Sequence, residues 1–238
     1  EELRGDAELV LKAAAHDIRA LEYASHELLA DRDFILQVVA YDGCALRYAA
    51  DTVRCDREVV LRAVAQDGWA LMHAQGELQG DREVVLCAVE RAGSALKFAS
   101  EELRGDRGLV LRAVASDGMA LRYASEALQG DRELVREALE QDASALRHAT
   151  PELRASRWIV SWAVERDGFA LEHAQPERRE DLQTVLQAVE QDGRAVIHAS
   201  GTLRHDGEVL ARAVARDRRA VAYASDDIRL HHDSDILL

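Results

Sequence analysis

Hydrophobic and polar positions along the chain follow a period of 25 residues. In each period, apolar residues first recur at helical spacing, as do Val60, Ala63 and Val64. A shorter apolar segment follows, with two alanines four positions apart, such as Ala70 and Ala74. The period closes with a short polar segment that contains one leucine. This pattern predicts a long helix, a short helix and a turn in every period.

Nine such repeats follow one another without insertion, and a partial tenth covers 226–238. The repeats start at residues 1, 26, 51, 76, 101, 126, 151, 176 and 201. One unit is too small to bury its own apolar face, whereas stacked units bury it between them. We therefore predict an all-α fold, an α-solenoid that forms one array over 1–238. Neither end shows the polar cap that solenoids need, so we expect the array to belong to a longer chain.

Capping residues mark the helix boundaries. Asp precedes the long helix in eight repeats, at Asp6, Asp31, Asp56, Asp81, Asp106, Asp131, Asp181 and Asp206, and Ser156 takes this place in the seventh. A side chain here accepts an unpaired N–H of the first turn, which predicts N-caps. After the helix, pairs such as Asp67-Gly68 predict an end in the left-handed conformation. Thr150-Pro151 predicts the start of a one-turn helix.

The repeat itself resembles a known family. The string Leu-Arg-Gly-Asp-Arg-Glu-Val-Val-Leu-x-Ala-Val-x-x-Asp-Gly-x-Ala-Leu-x-Tyr-Ala-Ser is clearest in 53–75 and 103–125. It is similar to the repeats of the family of unknown function numbered 4116, over essentially the whole chain. The resemblance implies a long helical array and carries over no catalytic residue. A weaker period of 50 residues, visible after the Asp-Gly pairs, suggests that two repeats form one larger unit.

Charge and cysteine usage narrow the class of partner. The net charge of −14 opposes non-specific binding to nucleic acid and to anionic membranes. No apolar run approaches the roughly 18 residues of a membrane span, so membrane insertion is not expected. Cys44, Cys55 and Cys87 have neither disulfide nor zinc-site spacing, which predicts an intracellular protein. The sequence leaves the compartment open, because a targeting segment could have been removed.

No motif predicts catalysis, a cofactor, a metal or a small-molecule substrate. The aspartates recur in every repeat, whereas a catalytic residue is normally unique. His73, His148, His173 and His198 share one repeat position with Tyr and Phe residues, so we interpret them as half-buried rings between repeats. We interpret His231-His232-Asp233 as a polar loop. Phosphate loops and nucleophile motifs are missing from the sequence, so the protein is predicted not to be an enzyme.

Two tryptophans are the first candidate for a partner-binding surface. Trp158 and Trp162 stand where other repeats have charged pairs such as Glu58 and Arg62, which we expect on the solvated face of the long helix. Their replacement by Trp predicts an exposed apolar patch. Coverage by another part of a longer chain, or local packing, is equally compatible with the sequence.

A second candidate recurs every 50 residues. Trp69, Met119 and Phe169 open the short helix of alternate repeats, at a position that varies more than the core does. Such residues can recognise a partner, but the alternation of large and small side chains favours interdigitated packing.

These observations predict a non-enzymatic scaffold that binds another protein, as a segment or subunit of a larger assembly. A passive structural linker is the alternative. Modular nucleic-acid recognition is less favoured. It would use the arginines at 32, 57, 82, 107, 132 and 157, but acidic residues often follow them directly.

Overall fold

The structure is a computed structural model and describes residues 2–223. The predicted partial repeat at 226–238 and the His231-His232-Asp233 segment lie outside the described residues. Every described repeat contains a long α-helix, a short 3₁₀ helix and a single helical turn, and no β-strand occurs between residues 2 and 223. The predicted all-α solenoid of repeats is confirmed.

The long helices have eight to ten residues, and each begins directly after its capping position. They span Ala7–His16, Arg32–Val39, Arg57–Gln66, Arg82–Arg91, Arg107–Ser116, Arg132–Gln141, Arg157–Val164, Leu182–Gln191 and Gly207–Arg216. The short helices are all 3₁₀ helices of six residues. They span Ile18–Tyr23, Gly43–Tyr48, Gly68–His73, Gly93–Phe98, Gly118–Tyr123, Ala143–His148, Gly168–His173, Gly193–His198 and Arg218–Tyr223.

The predicted turn is itself a short helix. Seven of these segments are single α-helical turns, namely His26–Leu29, Asp51–Arg54, Glu101–Arg104, Glu126–Gln129, Pro151–Ala155, Pro176–Arg179 and Gly201–Arg204. The other two, Glu2–Arg4 and Leu78–Gly80, are 3₁₀ turns. Pro151 occupies the first turn of its helix, where the missing N–H costs nothing.

The core consists of the same few columns in the second to eighth repeats. In the third repeat Val59, Val60, Ala63 and Val64 of the long helix and Leu71 of the 3₁₀ helix are fully buried. Burying one Val or Leu side chain contributes about 1.5–3 kcal/mol. Small and medium aliphatic residues fill most of these columns, which lets neighbouring helices approach closely. The exceptions are Phe34 in the second repeat and Thr184 in the eighth, both of which are buried.

The chain forms two compact units, Glu1–Ser125 and Glu126–Leu238. Within each unit, the long helix of one repeat packs on the long helix of the next, and the 3₁₀ helices pack in a second layer. A backbone hydrogen bond also joins successive turns: the Gln75 N–H donates to the Arg54 carbonyl at 3.0 Å, and the Gln175 N–H donates to the Arg154 carbonyl at 3.0 Å.

The prediction of a left-handed glycine after the long helix is wrong. Asp67 is extended, with φ −141°, and Gly76 is the one described residue with positive φ. Gly68 is needed for a different reason: a Cβ there would lie 2.3 Å from the carbonyl oxygen of Ala88 in the next repeat. The glycine therefore permits close approach between repeats. Asp67 caps the 3₁₀ helix by accepting the Trp69 N–H at 2.9 Å.

Candidate partner-binding surface

All eight aspartates before the long helices cap them in the structure. Asp56 accepts the N–H groups of Glu58 and Val59 at 3.0 and 3.1 Å. These bonds satisfy donors that have no partner inside the helix. The seventh repeat differs, because the Ser156 side chain forms no capping hydrogen bond. The expectation that Ser156 substitutes for the aspartate is wrong.

In the second, third and fourth repeats, the arginine that follows the capping aspartate reaches across to the next repeat. The Arg57 guanidinium donates to Asp81, with Nε–Oδ2 2.7 Å, and also to Glu83. Arg32 bonds Asp56 and Glu58 in the same way. The hydrogen bond from Arg57 lowers the pKa of Asp81 against the opposing effect of burial.

We call these contacts the arginine ladder, defined by Arg32, Arg57 and Arg82 with their acidic partners in the following repeat. The third member, Arg82, donates to Asp106 at 2.9 Å. From the sequence alone, these arginines suggested only a phosphate track. In the structure their charges are neutralised by carboxylates, which does not suit phosphate binding. The partners lie 24 and 26 residues ahead, a spacing close to the repeat length that could have revealed them.

Glu58 also corrects the prediction of charged pairs within one helix. Glu58 accepts from Arg32 of the preceding repeat. An i,i+4 pair of the predicted kind occurs between Lys12 and Glu8, and another between Arg212 and Glu208. The outer face of the long helix therefore carries charged side chains. Some of them form ion pairs within the helix, and others form ion pairs with a neighbouring repeat.

The arginine ladder is interrupted at the seventh repeat. The two positions that Arg57 contacts in its following repeat hold Ser156 and Trp158 in the repeat after Arg132. Neither side chain carries a negative charge, and Arg132 forms no ion pair with any residue of 2–223. Arg157 donates to the amide oxygen of Gln183, again where other repeats have a glutamate.

Trp158 and Trp162 differ in exposure. Trp158 is 52% exposed, as predicted for a contact surface, whereas Trp162 is half-buried. The two rings are tilted and their centroids lie 5.7 Å apart. The Arg166 guanidinium lies 4.2 Å from the centroid of Trp162, within cation–π range. The expectation that both indoles are exposed is therefore wrong for Trp162.

Local substitutions explain why Trp162 packs. In the second and third repeats the outer groove between the long helices is lined by Leu36 and Leu61 and has a volume of about 610 Å³. In the sixth and seventh repeats Arg136 and Ser161 replace these leucines. The Trp162 ring lies 5.8 Å from the Arg136 guanidinium and restores apolar surface there.

Two members of the second candidate set contact the following repeat. They meet the repeat position that holds His73, Phe98, His148, His173 and His198, which we call the ring column. Trp69 meets Phe98 edge to face with ring centroids 5.8 Å apart, and Phe169 meets His198 at 5.4 Å. Such pairs contribute about 0.5–1.5 kcal/mol beyond the area they bury. Trp69 remains 40% exposed, whereas Phe169 and Met119 are half-buried. These contacts favour the packing interpretation for Trp69 and Phe169.

The histidines of the ring column are half-buried. Burial lowers the pKa of His73, His173 and His198, and nearby arginines lower the pKa of His73 and His173 further. Neutral rings therefore predominate at pH 7. In residues 2–223 no three side chains of His, Cys, Asp or Glu converge on a place that could hold a metal ion.

The Cys44 thiol is also unsuited to nucleophilic chemistry. It donates to Asp67 at 3.1 Å. Burial, together with this carboxylate, raises the pKa of Cys44 to about 12, so the thiolate is scarce at neutral pH.

The repeat geometry agrees with a comparison of the sequence with protein families. The model described as Domain of unknown function (DUF4116) matches residues 31–79, 81–129 and 131–179. These matches cover more than half of the chain. The chain belongs to this family. Each match contains two 25-residue repeats, in agreement with the 50-residue period of the sequence.

No curated protein matches the chain. Within the part of the chain that the structure describes, every helix is too short or too polar to cross a membrane.

Proposed function

We propose that this family member is a non-enzymatic scaffold that binds another protein through the surface around Trp158. One observation carries the proposal: an indole that is 52% exposed stands where the third and fourth repeats have Glu58 and Glu83. Exposed tryptophans are frequent energetic centres of protein interfaces. Trp162 packs against Arg166 and against Arg136 of the preceding long helix, so Trp158 is the indole of the two that is available to contact a partner.

The proposal includes a role as a segment or subunit of a larger intracellular assembly. A stack of near-identical repeats supports this role, since it presents one altered repeat at a defined place on a regular support. The neutralised arginine ladder supports a protein partner over a nucleic acid, because three of its cations already bind carboxylates.

Photochemical cross-linking tests the proposal. Benzoylphenylalanine, a photoreactive aromatic residue, replaces Trp158 in one version of the chain and Glu58 in a control version. Both positions start a long helix and face solvent. After irradiation in extract of the source organism, we expect the version altered at 158 to capture a defined protein that the control does not.

A third version, Trp158→Glu, restores the residue common at this position and should lose the same protein in an affinity capture. Its circular dichroism should match that of the unaltered chain, because the substituted side chain is outside the core. Equal capture by the versions altered at 58 and 158 would contradict the proposed surface.

A further inference from the structure

We propose that the Trp158 surface binds a partner segment in which an aspartate or glutamate stands next to an apolar side chain. The carboxylate would pair with Arg132, and the apolar side chain would lie against the Trp158 indole. This inference rests on the proposed function and adds the chemistry of the partner.

The missing charges of the arginine ladder carry the inference. Arg32 and Arg57 each contact two carboxylates of the following repeat. At the seventh repeat both acceptors are lost, because Ser156 and Trp158 occupy their positions. The Arg132 guanidinium is exposed and has no ion pair within residues 2–223. A planar guanidinium is best satisfied by a carboxylate, which accepts two parallel hydrogen bonds.

The register in which the repeats stack places the Arg132 guanidinium and the Trp158 indole on the same surface. In the ladder, Arg57 bonds the capping residue and the residue two positions further on. The equivalents for Arg132 are Ser156 and Trp158, so the unpaired cation belongs to the same local surface as the exposed ring. A ligand that satisfies both must carry negative charge and apolar area within a few atoms of each other.

Charge complementarity also favours a different protein over a second copy of this chain. The chain has a net charge of −14, so two copies repel each other at long range. An acidic segment of a partner is attracted to the exposed Arg132 and repelled by the acidic surface elsewhere. This difference directs the segment to the Trp158 surface.

Peptide selection tests this chemistry while the partner protein is still unidentified. The whole chain is used to select from a phage library of random peptides, with the Ser156→Asp/Trp158→Glu variant as competitor. That variant restores the residue types of the intact ladder. We expect enriched peptides to contain Asp or Glu beside Leu, Phe or Trp. The best peptide is then synthesised with a fluorophore, and its Kd is measured by fluorescence polarisation.

Matched variants separate the contributions to binding. Arg132→Gln should raise the Kd about tenfold or more, because a charged hydrogen bond is lost. The peptide with its acidic residue changed to the amide should bind equally weakly to the unaltered chain and to Arg132→Gln. The control, Arg57→Gln, removes an equivalent arginine that is already paired, and should leave the Kd unchanged.

Three results would overturn the inference. Peptides that need Trp158 but bind equally well to Arg132→Gln would refute the acidic partner and leave the proposed function standing. Failure to enrich any peptide against the competitor would also count against a segment of this chemistry. A dimer seen by sedimentation in the unaltered chain and lost in Trp158→Glu would identify a second copy as the occupant.

Discussion

The third repeat (51–75) and the seventh repeat (151–175) have nearly identical interiors and different outer surfaces. Val60 and Leu71 in one correspond to Val160 and Leu171 in the other, and all four side chains are fully buried. On the outside, the third repeat has its aspartate cap and a glutamate that completes the arginine ladder. The seventh repeat has neither. The core differs only by swaps between aliphatic residues, such as Val59 for Ile159, whereas the changes of chemical type lie on the outer surface.

This difference shows how a repeat protein can acquire a specific site. Core columns must be kept, because each side chain packs against two neighbouring repeats. Outer positions can change one repeat at a time, at the cost of a cap or a surface ion pair. Such surface pairs each contribute only about 0–1 kcal/mol, so their loss is tolerated.

The largest expected effect tests whether the two interiors are equivalent. Gly68→Ala and Gly168→Ala would place a Cβ 2.3 and 2.4 Å from a backbone carbonyl oxygen of the next repeat. Overpacking of this kind costs about 1–3 kcal/mol, so we expect each variant to lose that much stability in urea unfolding. Similar losses in both repeats would show that the repeat interfaces are the same.

Gly80→Ala is the control, because the nearest atom to its added Cβ lies 3.8 Å away. It should be neutral or slightly stabilising. Ala143 already occupies the equivalent position in the sixth repeat, so that interface must accommodate a methyl group. If Gly68→Ala lost almost no stability, the interface after the third repeat would accommodate a methyl group as easily as the interface at Ala143 does.

The next effect concerns the caps. Asp56→Ala should cost about 0.5–2 kcal/mol, because two N–H groups lose their acceptor. Ser156→Asp should stabilise the protein by a similar amount. The new carboxylate would cap the seventh long helix and would also be available to pair with Arg132. Urea midpoints of the two variants measure both changes. An unchanged midpoint for Ser156→Asp would show that this helix end already has all its partners.

The smallest effect is a pH dependence that both repeats share. The pKa values of His73 and His173 are lowered from the usual 6.5, chiefly by burial. The unfolded chain therefore binds protons more readily, and stability should fall as the pH drops below about 6.5. The variant His73→Phe/His173→Phe should show a smaller fall, since Phe98 occupies this position naturally.

The contribution of the aspartates should appear at lower pH. The pKa of Asp81 lies below its usual 3.8, so its stabilising effect is lost only as the pH falls further. The comparison of the histidine variant with the unaltered chain is therefore made between about pH 4.5 and 6.5. Identical profiles for the two proteins in this interval would contradict a role for the half-buried rings.

Features that act within one helix could be predicted from the sequence. The buried stripe at Val60, Ala63 and Val64 follows from helical periodicity, and an aspartate before a helix is a recognised cap. The all-α repeat fold and the family resemblance follow from the same periodic positions. In the candidate surface, Trp158 could also be recognised from the sequence as a replacement for Glu, because the eight other repeats show which residue types to expect at this position.

Contacts between repeats were not predicted, although the 24- and 26-residue spacing of the ladder partners lies close to the repeat length. The partner of Arg57 depends on the offset at which two helices stack, and this offset decides that Asp81 and Glu83 come within reach. The need for Gly68 likewise arises from a carbonyl of the next repeat, although local reasoning had suggested a left-handed turn.

The sequence alone therefore determined the period, the helix boundaries and the core columns, because local hydrogen bonding and apolar periodicity act over a few residues. Only the tertiary structure decided that Trp162 packs while Trp158 remains exposed, and that Arg132 lacks partners like those of the ladder arginines. Exposure and ion pairing depend on which side chains the adjacent helix brings near, and stacking alone sets that arrangement.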